Sequence, residues 1–248
     1  MSDKHQTDQV KIPQVYAART DVGCVREHNE DSFIAATPLF VVADGMGGHE
    51  AGEVASEIAI NTLLEKAPSS PDGEGLANAV RAANIAIISA AAQGVGRPGM
   101  GTTMTAAQIF DDQLVIAQVG DSRAYLLHEG TLQRITRDHS LVADLIDQGR
   151  ITEEEARRHP NRNLITRALG TDETVESDGY RTTLSEGEYL LLCTDGLTIT
   201  VTDQEMLFEI LHGGDEESCL SRLLAIAKEH GAPDNVTAVL MRQTEGGQ

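Results

Sequence analysis

Short apolar runs that meet an aspartate beside glycine or asparagine recur along this chain, and they constrain its fold more than any other feature. Leu39 to Ala43 runs into Asp44-Gly45, and Leu114 to Val119 into Gly120-Asp121. Tyr189 to Thr194 runs into Asp195-Gly196, and Asp234-Asn235 opens Val236 to Leu240. Runs of this length bounded by turn residues read as buried strands, so a sheet would gather several acids at one edge. Two carboxylates about 5 Å apart repel by roughly 3 kcal/mol at an effective dielectric of about 20, and a cluster of four calls for cations.

The remaining pattern groups strands and helices in blocks. Strands are expected near Val15 to Ala18, Ser32 to Ala36, Thr102 to Phe110, Gln113 to Val119, Arg123 to His128, Val175 to Thr182 and Glu188 to Thr194. Helical spacing predicts helices near Glu50 to Leu64, Leu76 to Ala92, Asp203 to Leu211 and Ser218 to His230, the last stopped by Gly231 and Pro233. Turns such as Asp111-Asp112 and Glu129-Gly130 are too short for helical crossovers and favour antiparallel hairpins. Blocked strands and helices predict an α+β layered fold with antiparallel sheets. A polar tail (1–12), one domain (13–242) and, within it, a polar excursion (144–163) of short helical pieces are the expected organisation.

Composition narrows the partners. Nineteen Lys and Arg against thirty-nine Asp and Glu give a net charge of −20, which opposes a nucleic-acid backbone and an anionic membrane surface. The same charge suits hard divalent cations. Cys24, Cys193 and Cys219 are widely spaced and form no CxxC pair, which points to a reducing cytosol. The first residues lack an apolar targeting core, and a soluble monomer is expected.

Asp-Gly is first of all a turn dipeptide, and Asp72-Gly73 in a Pro/Ser loop is that ordinary case. Recurrence at strand ends is what raises Asp44, Asp121, Asp195 and Asp234 to candidate ligands. The loop from Gly45 to Gly52 resembles a phosphate cradle but lacks both the dinucleotide and the P-loop spacing, and Asp44 and Glu50 beside it would repel a bare phosphate. Arg26 stands near Glu30 and Asp31 and could clamp phosphate oxygens in bidentate fashion. No cysteine is followed six residues on by arginine, and no Asp-x-Asp or His-Glu-x-x-His occurs, so water activated by metal is the natural nucleophile. Of the eight histidines, His49 and His159 are the two site candidates.

Taken in order, Arg26-x-x-Asn29-Glu30-Asp31, Asp44-Gly45-Met46-Gly47-Gly48, Gly101-Thr102-Thr103, Gly120-Asp121-Ser122-Arg123, Asp195-Gly196 and Asp234-Asn235 resemble the bacterial branch of the metal-dependent, type 2C Ser/Thr protein phosphatases. The resemblance implies a four-layer α-β-β-α sandwich of two antiparallel sheets, with the 144–163 segment as a small flap. It also implies a centre of two Mn²⁺ or Mg²⁺ ions with a weaker third. Asp44 would bridge the pair, the Gly45 carbonyl would join the second ion, and Asp195 and Asp234 the first. Asp121 with Asp195 would hold the third, Glu30 and Asp31 would act through bound waters, and Arg26 would hold the substrate phosphate. Some relatives carry histidine directly after Asp-Gly; Met46 stands there in this chain, leaving water or His49 as the acid for the leaving group.

The expected activity is hydrolysis of phosphoserine and phosphothreonine in phosphoproteins, in bacterial signalling opposite a Ser/Thr kinase. A catalytically silent binding module and a small-phosphoester hydrolase are the rival readings. The complete set of aspartates argues against the silent module.

Overall fold

The computed structural model describes residues 14–47 and 51–244. Eleven strands occur among them: β1 (Gln14–Asp21), β2 (Asp31–Ala36), β3 (Leu39–Met46), β4 (Gly101–Thr102), β5 (Met104–Phe110), β6 (Gln113–Val119), β7 (Arg123–His128), β8 (Thr131–Arg134), β9 (Asp178–Thr183), β10 (Tyr189–Cys193) and β11 (Val236–Gln243). The helices are α1 (Ala51–Lys66), α2 (Gly73–Ala92), α3 (Leu141–Asp147), α4 (Glu153–Arg157), α5 (Asp195–Thr200), α6 (Asp203–His212) and α7 (Glu216–Glu229).

Every strand pair is antiparallel. One sheet runs β1-β11-β10-β7-β8; the other runs β2-β3-β5-β6-β9, with β4 pairing β3. The side-chain period of two assigns the layers. Along β3, Phe40 and Val42 pack between the sheets, whereas Leu39, Val41 and Ala43 pack beneath α1 and α2. Along β10, Leu190 and Leu192 face the other sheet, and Leu191 and Cys193 lie under α5 to α7. Three apolar layers thus separate four layers of secondary structure, the α-β-β-α arrangement that the sequence resemblance implied.

Local chemistry explains the helix starts. Asp72, the ordinary turn residue of the sequence reading, is the N-cap of α2 and accepts the Glu74 N–H at 3.0 Å. Thr152 with Glu155 and Thr202 with Glu205 form capping boxes at α4 and α6. Helix α2 is long and apolar enough to cross a membrane by composition alone, yet Leu76, Val80, Ala83 and Ile87 bury its apolar stripe in the core.

Three elements differ from the expected pattern. The strand expected from Thr102 to Phe110 is interrupted at Thr103, where the register with β3 is kept and Thr103 N–H reaches the Asp44 carbonyl at 2.9 Å, but the Asp44 N–H bonds the Thr103 hydroxyl instead of its carbonyl. Strand β9 begins at Asp178 rather than Val175, with the Glu176 carbonyl taken by Arg167. Asp195-Gly196 opens the six-residue helix α5, where a turn ending a strand was expected.

Leu192 is fully buried between the sheets. Leu192→Ala is expected to cost about 2–5 kcal/mol in urea denaturation; a cost below about 1 kcal/mol would mean that the sheets do not pack tightly there.

Candidate active site

The strand alternation that builds the core also delivers the acids. Asp44 continues the face of Phe40 and Val42 and therefore points into the space between the sheets, at the open end of β3. Asp31, the first residue of β2, lies directly opposite it in the strand register. Like charges placed directly across a ladder destabilise it, so this pair has to be compensated.

Hydroxyls from the other sheet supply part of that compensation. Asp31 Oδ2 accepts from Thr237 Oγ1 at 2.6 Å and from Thr194 Oγ1 at 2.9 Å. Thr237 lies on β11 and Thr194 just past β10, so one carboxylate oxygen joins the two sheets at this edge. The other oxygen, Asp31 Oδ1, is buried and has no hydrogen-bond partner.

The Thr102-Thr103 and Gly120-Asp121-Ser122 motifs meet behind Asp44. Its carbonyl accepts from Thr103 N–H and from Thr102 Oγ1 at 2.8 Å, and its N–H donates to Thr103 Oγ1 at 3.0 Å. Thr103 Oγ1 also lies 2.7 Å from Ser122 Oγ, which ties the Asp44 backbone to the loop carrying Asp121. Gly120 takes φ +102°, and a Cβ there would lie 2.5 Å from Thr103 Cγ2. Only glycine tolerates both that turn and that contact. Gly45 near the end of β3 and Gly52 at the start of α1 have a packing reason as well: a Cβ on Gly45 would lie 2.2 Å from the Gly52 carbonyl oxygen.

Asp195 begins α5 immediately after β10, and Asp234 immediately precedes Asn235 and β11. Asn235 holds the neighbouring loop in place. Its Nδ2 donates to the carbonyls of Val22 and His28, and its Oδ1 accepts the Glu30 N–H at 2.8 Å. That loop presents Arg26, whose Nη2 donates to Asp234 Oδ2 at 2.8 Å while about half of the side chain stays exposed. Glu30 serves as a backbone hub, accepting from Gly45 N–H and Ser56 Oγ, and its carboxylate adds to the acidic surroundings of Arg26.

The electrostatics show that these acids form one group. Burial is the largest cause raising Asp31, to about 7, with Asp195 and Asp234 adding repulsion against the two threonine hydrogen bonds. Burial also raises Asp44 well above the ordinary carboxylate range, reinforced by Asp31, Asp195, Asp121 and Asp234 in turn. Asp121 is likewise held well above it by burial and then by Asp195 and Asp138. Burial and Asp234 raise Asp195 to about 6, opposed by a hydrogen bond with Asp44 and by the charges of Arg123 and Arg26. Asp44 and Asp195 each keep partial solvent exposure. Arg123 offsets part of the charge from behind, where Asp138 holds it in bidentate fashion at 2.7–3.2 Å.

The donor set fits divalent cations. Asp31 Oδ1, Asp121 Oδ1 and Asp195 Oδ1 are buried carboxylate oxygens without a hydrogen-bond partner, and ionised carboxylates can only accept. Among the described residues no three His, Cys, Asp or Glu side chains close on a single ion by themselves. Cations here would therefore complete their shells with backbone oxygen or water, as small hard ions commonly do. Two surface depressions lie apart from this edge, one of ≈ 490 Å³ lined by residues from Thr200 to His230 and one of ≈ 560 Å³ lined by Thr152 to Pro160. None of the five aspartates lines either.

Asp31, Asp44, Asp121, Asp195 and Asp234 thus act on one another across the sheet edge, with Arg26 and Glu30 beside them. His49 lies outside the described residues. His159 lies just after α4, where its Nδ1 accepts the Asn161 N–H at 3.1 Å in a local turn. Sequence reasoning assigned no role to Thr194, Thr237 and Ser56. The alternation of β11 places Thr237 on the inner face with Val239 and Met241, and extending β10 by one residue places Thr194 there with Leu190 and Leu192, which would have found both threonines.

Comparison with known proteins gives a consistent result. Residues 26–240 match the family Protein phosphatase 2C. The Ser/Thr protein phosphatase PstP of Mycobacterium tuberculosis is 45% identical over 228 residues, covering 91% of this chain and 44% of that relative. The chain therefore spans less than half the length of PstP. The Ser/Thr phosphatase stp of Listeria monocytogenes is 39% identical over 238 residues, with 91% of this chain and 94% of that relative covered. A crystal structure of the PstP catalytic domain in complex with two manganese ions superposes with a TM-score of 0.86 at 41% identity, covering 94% of this chain and 99% of that one.

Removing divalent cations exposes the cluster's repulsion. The raised Asp31 and Asp195 bind protons in the folded state that the unfolded chain, with its ordinary carboxylate value of 3.8, has already released. Stability without metal therefore falls as pH rises from about 5 to about 8, a window in which ordinary carboxylates are already ionised. His139, lowered by burial, changes in the opposite sense in metal-free and metal-loaded protein alike. The expected readout is a gain in Tm on replacing EDTA with Mn²⁺ that is larger at about pH 8 than at about pH 5; an equal or smaller gain at the higher pH would contradict the cluster.

Proposed function

This chain belongs to the protein phosphatase 2C family of Ser/Thr protein phosphatases, and from that premise we propose that it hydrolyses phosphoserine and phosphothreonine in phosphoproteins with divalent cations held by its aspartate cluster. The observation that carries the reading is the set of buried, partnerless carboxylate oxygens of Asp31, Asp121 and Asp195 around Asp44. Such a cluster is costly to fold unless cations neutralise it.

Mn²⁺ or Mg²⁺ is the proposed cofactor, with Asp44, the Gly45 carbonyl, Asp195 and Asp234 holding two ions and Asp121 with Asp195 a weaker third. When bound, the ions supply Lewis acidity toward phosphoryl oxygen and an acidified water at neutral pH. Glu30 and Asp31 orient waters at the edge of the cluster. Asp31 is already fixed for that role by Thr194 and Thr237.

Arg26 binds the substrate phosphate. Asp234 engages one terminal nitrogen of its guanidinium, which orients the group while about half of the side chain stays exposed. Burial disfavours the charged form of Arg26, but Asp234, Glu30 and Asp44 together outweigh it and keep the group cationic. Met46 has no proton to give, so the leaving alkoxide takes its proton from water or from His49. A cytosolic location, in keeping with three free cysteines, and a Ser/Thr kinase acting on the same phosphoproteins complete the proposal.

Titrating Mn²⁺ against EDTA while following phosphopeptide and aryl phosphate hydrolysis tests the reading, and turnover indifferent to metal would overturn it. Asp195→Ala is expected to abolish metal-dependent turnover while leaving the circular dichroism spectrum near wild type and the Tm in EDTA at or above wild type, because one repelling carboxylate is gone. Near-normal turnover would remove Asp195 from the ligand set. Arg26→Ala is expected to raise KM for phosphomonoesters by roughly tenfold, the size of a lost charged hydrogen bond, with calorimetric Mn²⁺ affinity unchanged. Weakened metal binding at constant KM would contradict its role.

A further inference from the structure

Within Arg26-x-x-Asn29-Glu30-Asp31, Asn29 carries no charge and adds no carboxylate to the cluster, yet its amide is fixed at both ends. Its Oδ1 accepts the Asp31 N–H at 3.1 Å, and its Nδ2 donates to Thr20 Oγ1 at 2.7 Å. Turning the amide over would set its NH2 group against the Asp31 N–H, so Nδ2 has to face Thr20.

Thr20 on β1 is the register partner of Thr237 on β11, and their hydroxyl oxygens lie 2.7 Å apart. Each hydroxyl has one hydrogen to give. The amide nitrogen at one end of this path only donates and an ionised carboxylate at the other only accepts, so the hydrogens run one way. They pass from Asn29 to Thr20, from Thr20 to Thr237 and from Thr237 to Asp31 Oδ2, the last at 2.6 Å. Because the Asp31 N–H feeds Asn29, the path closes into a ring that starts and ends at Asp31. The ring crosses between the sheets, with Thr20 and Thr237 on one and Asp31 on the other.

Thr194 supplies a second donor. Its Oγ1 accepts the Thr237 N–H at 3.0 Å, and its own hydrogen goes to Asp31 Oδ2 at 2.9 Å rather than to the Thr237 carbonyl at 3.5 Å. Both threonines are fully buried, whereas Thr20 is exposed, so the ring runs from the surface to the base of the acid cluster. Two donors occupy Oδ2 and oppose rotation of the carboxylate. Oδ1, buried and partnerless, remains its free acceptor. Repulsion from Asp195 and Asp234 acts on this same group, so an unheld carboxylate would swing aside.

Resting on the phosphatase reading, we propose that Thr20, Asn29 and Thr237 are positioning residues for the cation centre, whose one-way hydrogen-bond ring locks the Asp31 carboxylate so that Oδ1 alone is offered to the cations and their water. Successive hydrogen bonds aligned in one direction polarise one another, which makes the distant members matter. A ring that only welded the sheets together would act on stability and leave cation affinity alone.

The test measures Mn²⁺ affinity by calorimetry, without substrate, together with kcat and KM for an aryl phosphate, in valine and serine variants of Thr20 and Thr237. Valine puts a methyl group where the hydroxyl was, which also keeps water from replacing it at exposed Thr20. Thr237→Val is expected to weaken Mn²⁺ binding and to lower kcat by roughly 10- to 100-fold, as loss of a group behind a metal ligand does, with KM unchanged. Thr20→Val should act in the same sense by a smaller factor, while Thr237→Ser and Thr20→Ser, which keep the hydroxyls, stay close to wild type. In an Asp31→Ala background Thr237→Val should weaken Mn²⁺ no further, since no carboxylate is left to hold. Valine variants with wild-type Mn²⁺ affinity, serine variants that lose as much as valine, or a change confined to KM overturn the inference. So does an undiminished effect of Thr237→Val in the Asp31→Ala background. A wild type without metal-dependent aryl phosphate turnover overturns the phosphatase reading instead, and the calorimetric affinities then decide the ring's role alone.

Discussion

Mutual repulsion among buried carboxylates is the constraint on which the rest of this structure depends. Two antiparallel sheets place Asp31 and Asp44 directly opposite each other on adjacent strands, and Asp195 and Asp234 arrive from the facing sheet. The apolar layers hold these strand ends in register regardless of the charges they carry, and one layer between the sheets includes Phe40, Leu192 and Val239. The core thus imposes a geometry that the acids, left in water, would avoid.

Several polar groups manage the conflict. Thr194 and Thr237 bind one oxygen of Asp31 and join the sheets through it. Thr103 and Ser122 lock the Asp44 backbone to the Asp121 loop, and Asn235 secures the loop that carries Arg26. Arg123 and Arg26 lower the cost of ionising Asp195 from two sides. None of these contacts reaches the three orphaned carboxylate oxygens, so the network positions the acids without satisfying them. An arrangement that fixes acceptors and leaves their lone pairs open is preorganised for cations.

Much of this was legible in the sequence because the signals were local. The apolar runs at Leu39, Leu114 and Tyr189 became strands, the two-residue turns became hairpins, and the aspartates at their ends converged. The unread parts depended on distant segments. Strand β8 is four mostly exposed residues held by pairing with β7, and only the Glu129-Gly130 turn before it, not the composition of Thr131 to Arg134, points to it. Helix α5 contains Thr198, Ile199 and Thr200, β-branched residues that local propensity would place in a strand; tertiary packing of Leu197 in the core overrides them. The threonine contacts to Asp31 arise only when two sheets meet, which no single stretch of sequence records.

Anomalous diffraction at the manganese edge, from crystals grown with Mn²⁺, measures the cation site most directly. Two peaks lodged among Asp44, Asp195 and Asp234, on the inner face of the sheet edge, are the expected result. Manganese found only at exposed carboxylates elsewhere, with that cluster free of it at saturating concentration, would contradict a cation-neutralised centre.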